Sequence, residues 1–314
     1  MLSRIAESLF WIGRYVERAD DKARILDAFL GRLLEDPWAD EDVACREVTA
    51  ILGAPAPHDG RLAAGDVLDL LAFDTTNASA IAGALAAARD NARGTREAIS
   101  SEMWECLNVT WHTLDSQRRA AERLGPSLFL SFVRERAAVL AGLAESTMSR
   151  DDGWRFLVLG RSLERVDMTT RLLSIQASAA EYDPGWRTVL RACGADESFL
   201  RTHGGNVQGQ RVAEFLLLDR LFPRSALHAL TTAEHCLREL APTTERAGVT
   251  DAARRPIGQP RTRLEYADIG ALLVELPLHL RALQQACATA SAAVTKRYFP
   301  QSVPVIWAHE EAWA

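Results

Sequence analysis

Lysine is nearly missing from this 314-residue chain: only Lys22 and Lys296 occur, so 34 of the 36 basic side chains are arginine. Excess positive charge is missing too, because 42 acidic residues leave a formal net charge of −6. General attraction to nucleic acid or to an anionic membrane needs clustered excess cation, so neither partner is expected. Cysteine is sparse. Cys45, Cys106, Cys193, Cys236 and Cys287 are odd in number, scattered and never spaced Cys-x-x-Cys, which argues against a disulfide framework or a zinc knuckle and reads as five buried thiols. No run approaches the ~18 apolar residues of a membrane span. The opening Met1-Leu2-Ser3-Arg4-Ile5-Ala6-Glu7 carries Glu7 where a signal peptide is uncharged. A cytoplasmic address is the resulting expectation.

Several chemistries lack their spacing. No histidine has a glutamate three residues before it, as the di-iron bundles require, and His-Glu-x-x-His does not occur. Gly-x-x-x-x-Gly-Lys, Gly-x-Ser-x-Gly and Gly-x-Gly-x-x-Gly are missing as well. No metal and no cofactor are expected.

What the chain does have is helical periodicity. Apolar positions recur every three or four residues over 3–35, 63–73, 78–92, 95–122, 127–149, 153–181, 210–219, 223–240 and 264–298. Nothing reads as a run of strands, so the expected fold is all-α, a large helical bundle forming one domain over 1–314 with pseudo-repeat halves near 1–150 and 151–314. Ser3 is the expected N-cap of the first helix. Residues 243–263 are polar, contain proline and have few large apolar groups, so a mobile connection is expected there, as surface loop or lid.

One signature occurs twice. Gly-Arg-x-x-Glu-Arg-x-Asp-x-x-x-Arg runs from Gly13 to Arg24 and again from Gly160 to Arg171. At an offset of 147, Gly13, Arg14, Glu17, Arg18, Asp20, Arg24 and Leu26 match Gly160, Arg161, Glu164, Arg165, Asp167, Arg171 and Leu173. At 3.6 residues per turn the charged side chains of each copy share roughly a 160° arc opposite an apolar stripe. A solvated charged face is the plain reading of such a pattern.

Two details oppose that reading. Phe10, Ile25, Leu157, Met168 and Leu172 fall on the charged side, as expected if other helices cover it. Gly13 and Gly160 sit mid-helix, where glycine costs about 1 kcal/mol relative to alanine, so a close backbone or ligand approach is expected at each. Facing each other, the copies would set Arg14, Arg18, Arg24, Arg161, Arg165 and Arg171 against Glu17, Asp20, Glu164 and Asp167. Buried charge must be paired, and the arginine surplus suits a carboxylate or phosphate. Two readings stay open: a structural ion network, or a ligand or catalytic site with Glu17 or Glu164 as acid or base.

Secondary candidates follow the same theme. Arg93, Arg96, Glu97 and Glu102 mark an arginine- and glutamate-bearing helix start, with a solvated surface as the plainer alternative. Phe222-Pro223-Arg224-Ser225 reads as a helix start whose free amides suit an anion, or as ordinary capping.

The run from Leu2 to Ala19, LSRIAESLFWIGRYVERA, resembles the opening of the bacterial Alpha-E domain family, all-helical proteins of largely unknown function. Asn91 to Asn108, the repeat at Gly160 to Arg171, and Glu214-Phe215-Leu216-Leu217-Leu218-Asp219 leading into Phe222-Pro223-Arg224-Ser225 are similar to it too. Phe10 stands where that family often has tyrosine. The resemblance implies association with circularly permuted ATP-grasp proteins, sometimes as a fused domain, and with transglutaminase-like proteins in settings suggestive of peptide or amide-bond chemistry. It supplies no established catalytic residue, and points to Glu7, Arg14, Glu17 and Arg18 as the first positions to mutate. The expectation is an accessory subunit that binds an ATP-grasp partner or its peptide-like, carboxylate-bearing ligand. A stand-alone enzyme and a purely structural scaffold are the alternatives.

Overall fold

A computed structural model describes residues 1–36, 38, 40–54, 60–177, 183–242, 246 and 248–299. Those residues form fourteen α-helices and no strand. The first half contains α1 (Ser3–Glu35), α2 (Glu41–Ile51), α3 (Ala64–Leu68), α4 (Ile81–Arg93), α5 (Ser101–Leu124) and α6 (Ser127–Thr147). The second contains α7 (Asp152–Gln176), α8 (Gly185–Ala192), α9 (Asp196–His203), α10 (Gly209–Leu218), α11 (Ala226–Leu240), α12 (Arg255–Glu265), α13 (Ile269–Val274) and α14 (Leu276–Tyr298).

Local chemistry sets many of these boundaries. Asp40, Ser100, Asp151, Ser225 and Asp268 each accept a hydrogen bond from a free amide at the start of their helix, the standard remedy for orphan donors. Gly125, at φ 106°, turns the chain between α5 and α6. Ser3 is not a cap: Leu2 holds the N-cap position without any side-chain bond, and Ser3 is already helical. Leu2 is extended, at φ −68° and ψ 137°, and the helix begins at the serine.

Three expectations need correcting. Residues 264–298 are not one helix: α12 ends at Glu265, α13 follows, and Pro277 restarts the chain as α14. Helices α2, α8 and α9 are short and went unread, because eight to eleven residues carry too little periodicity. The segment 243–263 is largely ordered where it is described: Thr243 to Glu245 and Ala247 lie outside the described residues, but Arg255 to Arg263 belong to α12. Pro256 sits in the first turn of that helix, where a missing N–H costs nothing, and Ile257 is fully buried. Glu234 of α11 holds Arg254 at 3.3 Å and Arg261 at 2.5 Å, so ion pairs supply what the segment lacks in apolar surface. The end of the expected helix at 153–181 also lies outside the described residues beyond Ala177.

The bundle is organised around α1 and α7. Helices α4 and α6 pack on α1, α11 and α14 pack on α7, and α5 and α12 lie over those outer pairs. Leu9 approaches Gly153, Gly13 approaches Leu157, and Glu17 meets Arg165, so the two central helices run in the same direction at nearly the 147-residue offset of the signature. Phe10, Ile25, Leu157, Met168 and Leu172 are all buried, which answers why apolar residues stand among the charges. All five cysteines are free and buried.

Both signature glycines sit at the crossing. A Cβ at Gly13 would lie 2.0 Å from the Leu157 carbonyl oxygen, and one at Gly160 would lie 2.1 Å from that of Phe10. Neither distance can be relieved by rotating a side chain, because both obstacles are backbone.

Candidate functional site

The close approach at the glycines brings the charged faces of α1 and α7 together about one turn later. The two Glu-Arg dipeptides then pair crosswise. Arg18 donates to Glu164 through Nε at 2.6 Å and Nη2 at 3.1 Å, while Arg165 donates through Nε to Glu17 at 2.5 Å. Arg14 adds a third bond to Glu164, at 2.7 Å. Side chains of both glutamates are no more than 5% exposed, so charge-assisted bonds operate here with little solvent screening.

On the Glu164 side the arginines are tied to further elements. Arg14 also donates to Ser291 of α14 at 3.1 Å and Arg18 to the Ala78 carbonyl at 3.3 Å. Asp167 and Arg171 pair along α7 at 2.8 Å. Lys22, unnoticed as a candidate in the sequence, is fully buried here with no hydrogen-bond partner for its Nζ. Burial and the neighbouring Arg18 depress its amine from the ordinary 10.5 to about 8. A lysine lowered in the folded state binds fewer protons than in the unfolded chain between those values, so stability rises as pH climbs from about 8 to 10.5. Lys22→Met is expected to stabilise the protein by up to ~3 kcal/mol at neutral pH and to abolish that alkaline rise, as read by urea unfolding across pH.

Glu164 works in the opposite sense. Burial pushes its carboxyl up, but Arg14 and Arg18 overcome it and hold the group at about 2 against an ordinary 4.5. Its contribution, on the order of 3 kcal/mol, is complete above pH 4.5 and is lost as pH falls toward 2. Glu164→Gln should therefore be far less stable than the wild type at pH 7, with the gap narrowing through that acid window in a thermal-unfolding series.

The Glu17 side is built differently. Arg224, from the turn entering α11, reaches Glu17 at 2.9 Å and also bonds Asp20 and Asp21. The three carboxylates lie within 4.8 Å of one another, a grouping that suits a divalent ion, but the Arg224 guanidinium already supplies the cation. Burial opposes ionisation of Glu17, and Arg224 with Arg165 outweighs it, leaving the carboxyl lowered. Asp21 goes the other way: burial, reinforced by Glu17 and Asp20 against the pull of Arg224, holds its carboxyl well above the usual range. Arg24 pairs with Asp20 at 3.1 Å one turn along α1, and Arg161 reaches Glu145 of α6 at 3.2 Å.

Beside this second network lies a cavity of about 290 Å³ between α1, α6 and α7. Arg24, Arg161, Arg165 and Arg224 line it with Glu17 and Asp20, so four guanidiniums face two carboxylates. The other wall is apolar, made by Ile12 and Val16, Met103 of α5, and an alanine-rich face of α6. Such a chamber combines a cationic end with a greasy one, which is the composition of small-molecule pockets.

Not every expected residue belongs here. Glu7 is half-buried and makes no ion pair or hydrogen bond among the described residues, and it does not line the cavity. Arg93, Glu97 and Glu102 are exposed; Arg96 lies 4.1 Å over the Trp104 ring, and none of the four touches the network. Ser225 caps α11 by accepting the His228 amide at 3.1 Å. Arg224, a secondary candidate as part of an anion-suited or ordinarily capped helix start, is central through its side chain. Asp21, Lys22 and Glu145 were missed because they fall outside the duplicated pattern.

The family called Alpha-E, described as a predicted alpha-helical domain with a conserved ER motif, matches residues 1–299. The chain is also 25% identical over 264 residues to an uncharacterized protein of Mycobacterium bovis and to two of Mycobacterium tuberculosis. Each match takes in 76% of this chain and 30% of the relative, so the chain spans under a third of the length of those proteins. No solved structure matches. The chain belongs to the Alpha-E family.

Proposed function

We propose that this Alpha-E protein is an accessory module for an ATP-grasp-type, amide-bond-forming system, and that it holds a carboxylate-bearing, peptide-like ligand on the Glu17 side of its arginine network. The cavity carries this reading: Arg161 and Arg165 line it and keep N–H groups that no described residue accepts, whereas neither Glu164 nor its partners Arg14 and Arg18 line it. The mycobacterial relatives extend well past the matched stretch, in keeping with a module that works beside another domain.

Acid–base catalysis by Glu17 or Glu164 is the weaker reading. Both carboxylates are tied to arginines and held below the ordinary range, far from a value suited to proton transfer near neutral pH. A purely structural network accounts for the Glu164 side but gives no reason for a partly open, arginine-lined chamber.

The test is co-expression with an ATP-grasp-type protein encoded nearby, followed by copurification. Stable association, and loss of the partner's ligase activity when Arg161→Gln replaces the folded wild type, would support the reading. Two folded proteins that never associate would sink it.

A further inference from the structure

The cavity's two ends differ enough to specify its ligand more closely. This inference rests on the cavity being the ligand site.

Arg161 and Arg165 stand one helical turn apart on α7 and both face the chamber. Arg165 commits its Nε to Glu17, and Arg161 commits one terminal nitrogen to Glu145 at the exposed rim. The remaining N–H groups of this pair have no hydrogen-bond partner among the described residues, and both side chains stay under 20% exposed. Two adjacent guanidiniums with spare donors match the two oxygens of one carboxylate.

Across the chamber, Ala137, Leu140, Ala141 and Ala144 of α6 offer only hydrocarbon, and Val16 and Met103 close the sides. A second charge or a hydroxyl-rich body would meet no partner on that wall, and an unpaired buried polar group is costly. At about 290 Å³ the cavity lies at the lower end of the roughly 300–1,000 Å³ of small-molecule pockets, which suits a short body.

We propose that the cavity binds a monocarboxylate with a short aliphatic body, its carboxylate on Arg161 and Arg165 and its hydrocarbon against α6. A free acyl acid and the carboxyl terminus of a peptide ending in an aliphatic residue share this chemistry.

The experiment is calorimetric titration of the full chain with hexanoate, N-acetylleucine, acetate and inorganic phosphate. Hexanoate or N-acetylleucine should bind at least tenfold tighter than acetate or phosphate. Preference for hexanoate assigns an acyl ligand, preference for N-acetylleucine assigns a peptide terminus, and either upholds the proposal. Ala141→Phe, which fills the apolar end, should abolish the preference, while Arg161→Gln should weaken hexanoate by tenfold or more. Circular dichroism melts check that each variant is folded, and Arg161→Lys gives a second variant that keeps the charge while losing the fork. Equal binding of acetate, phosphate and hexanoate overturns the aliphatic part, and so does hexanoate binding that is unchanged in folded Ala141→Phe. Absence of binding by all four probes overturns the proposal outright. Copurification with the ATP-grasp-type partner is a separate readout, so a failed titration beside intact association leaves the accessory reading standing.

Discussion

Arg224→Met lowers stability by ~3–5 kcal/mol in urea unfolding at pH 7, or prevents folding in a marginal background. Methionine preserves most of the aliphatic packing but removes the guanidinium that bridges Glu17, Asp20 and Asp21, leaving Glu17 with Arg165 and Asp20 with Arg24 alone. Loss of one member of a buried pair is costly because the remaining charge stays desolvated, and here three carboxylates lose the same partner. Lysine would not restore them, since a single ammonium lacks the planar fork that reaches several oxygens at once. Removing the acids should compensate: Arg224→Met combined with Asp20→Asn and Asp21→Asn recovers part of the loss. If the single variant unfolds within 1 kcal/mol of the wild type, Arg224 is not the counter-ion of this cluster.

Gly13→Ala and Gly160→Ala form the second large effect. Each added methyl would meet a backbone carbonyl oxygen of the facing helix at 2.0 or 2.1 Å, so α1 and α7 must separate, and every cross-helix ion pair beyond the crossing lengthens with them. The expected loss exceeds the ~1–3 kcal/mol usual for overpacking and amounts to roughly 4 kcal/mol or more. Gly31 of α1 and Gly142 of α6 are the controls, because a Cβ at either has nothing within 4 Å. Alanine there should stabilise by about 0.5–1 kcal/mol through helix propensity alone. Thermal unfolding of all four single variants separates the cases, and equal behaviour of the two pairs would refute the close crossing.

Much of this was legible in the sequence, and the boundary is physical. Three-and-four periodicity is a local property, so the long helices α1, α5, α6 and α7 could be read directly. Mid-helix glycines in a charged context pointed to a close approach, and the apolar residues among the charges pointed to coverage. Pairing was not readable, because which arginine meets which glutamate depends on the relative position of two helices nearly 150 residues apart. Arg224 illustrates the limit: its role comes from where the turn before α11 lies over α1, and nothing in Phe222-Pro223-Arg224-Ser225 encodes that. Alpha-helix α12 shows the reverse error. The composition of 243–263 suggested a mobile connection, yet buried Ile257 within α12 and ion pairs to Glu234 outside it anchor the helix.

The crosswise Glu-Arg pairing also bears on how the chain acquires its structure. Its hydrogen bonds join residues 146 to 150 positions apart, and Arg224 reaches back 203 and 204 positions to Asp21 and Asp20. During synthesis at about 5–20 residues per second, α1 emerges with its acids and arginines long before their counterparts exist. The charged face of α1 therefore cannot complete its ion pairs before those later residues exist. Nascent α1 must keep its charged face hydrated until α7 and then the entry to α11 leave the ribosome, so the ion pairs of α1 close only after those later helices have emerged.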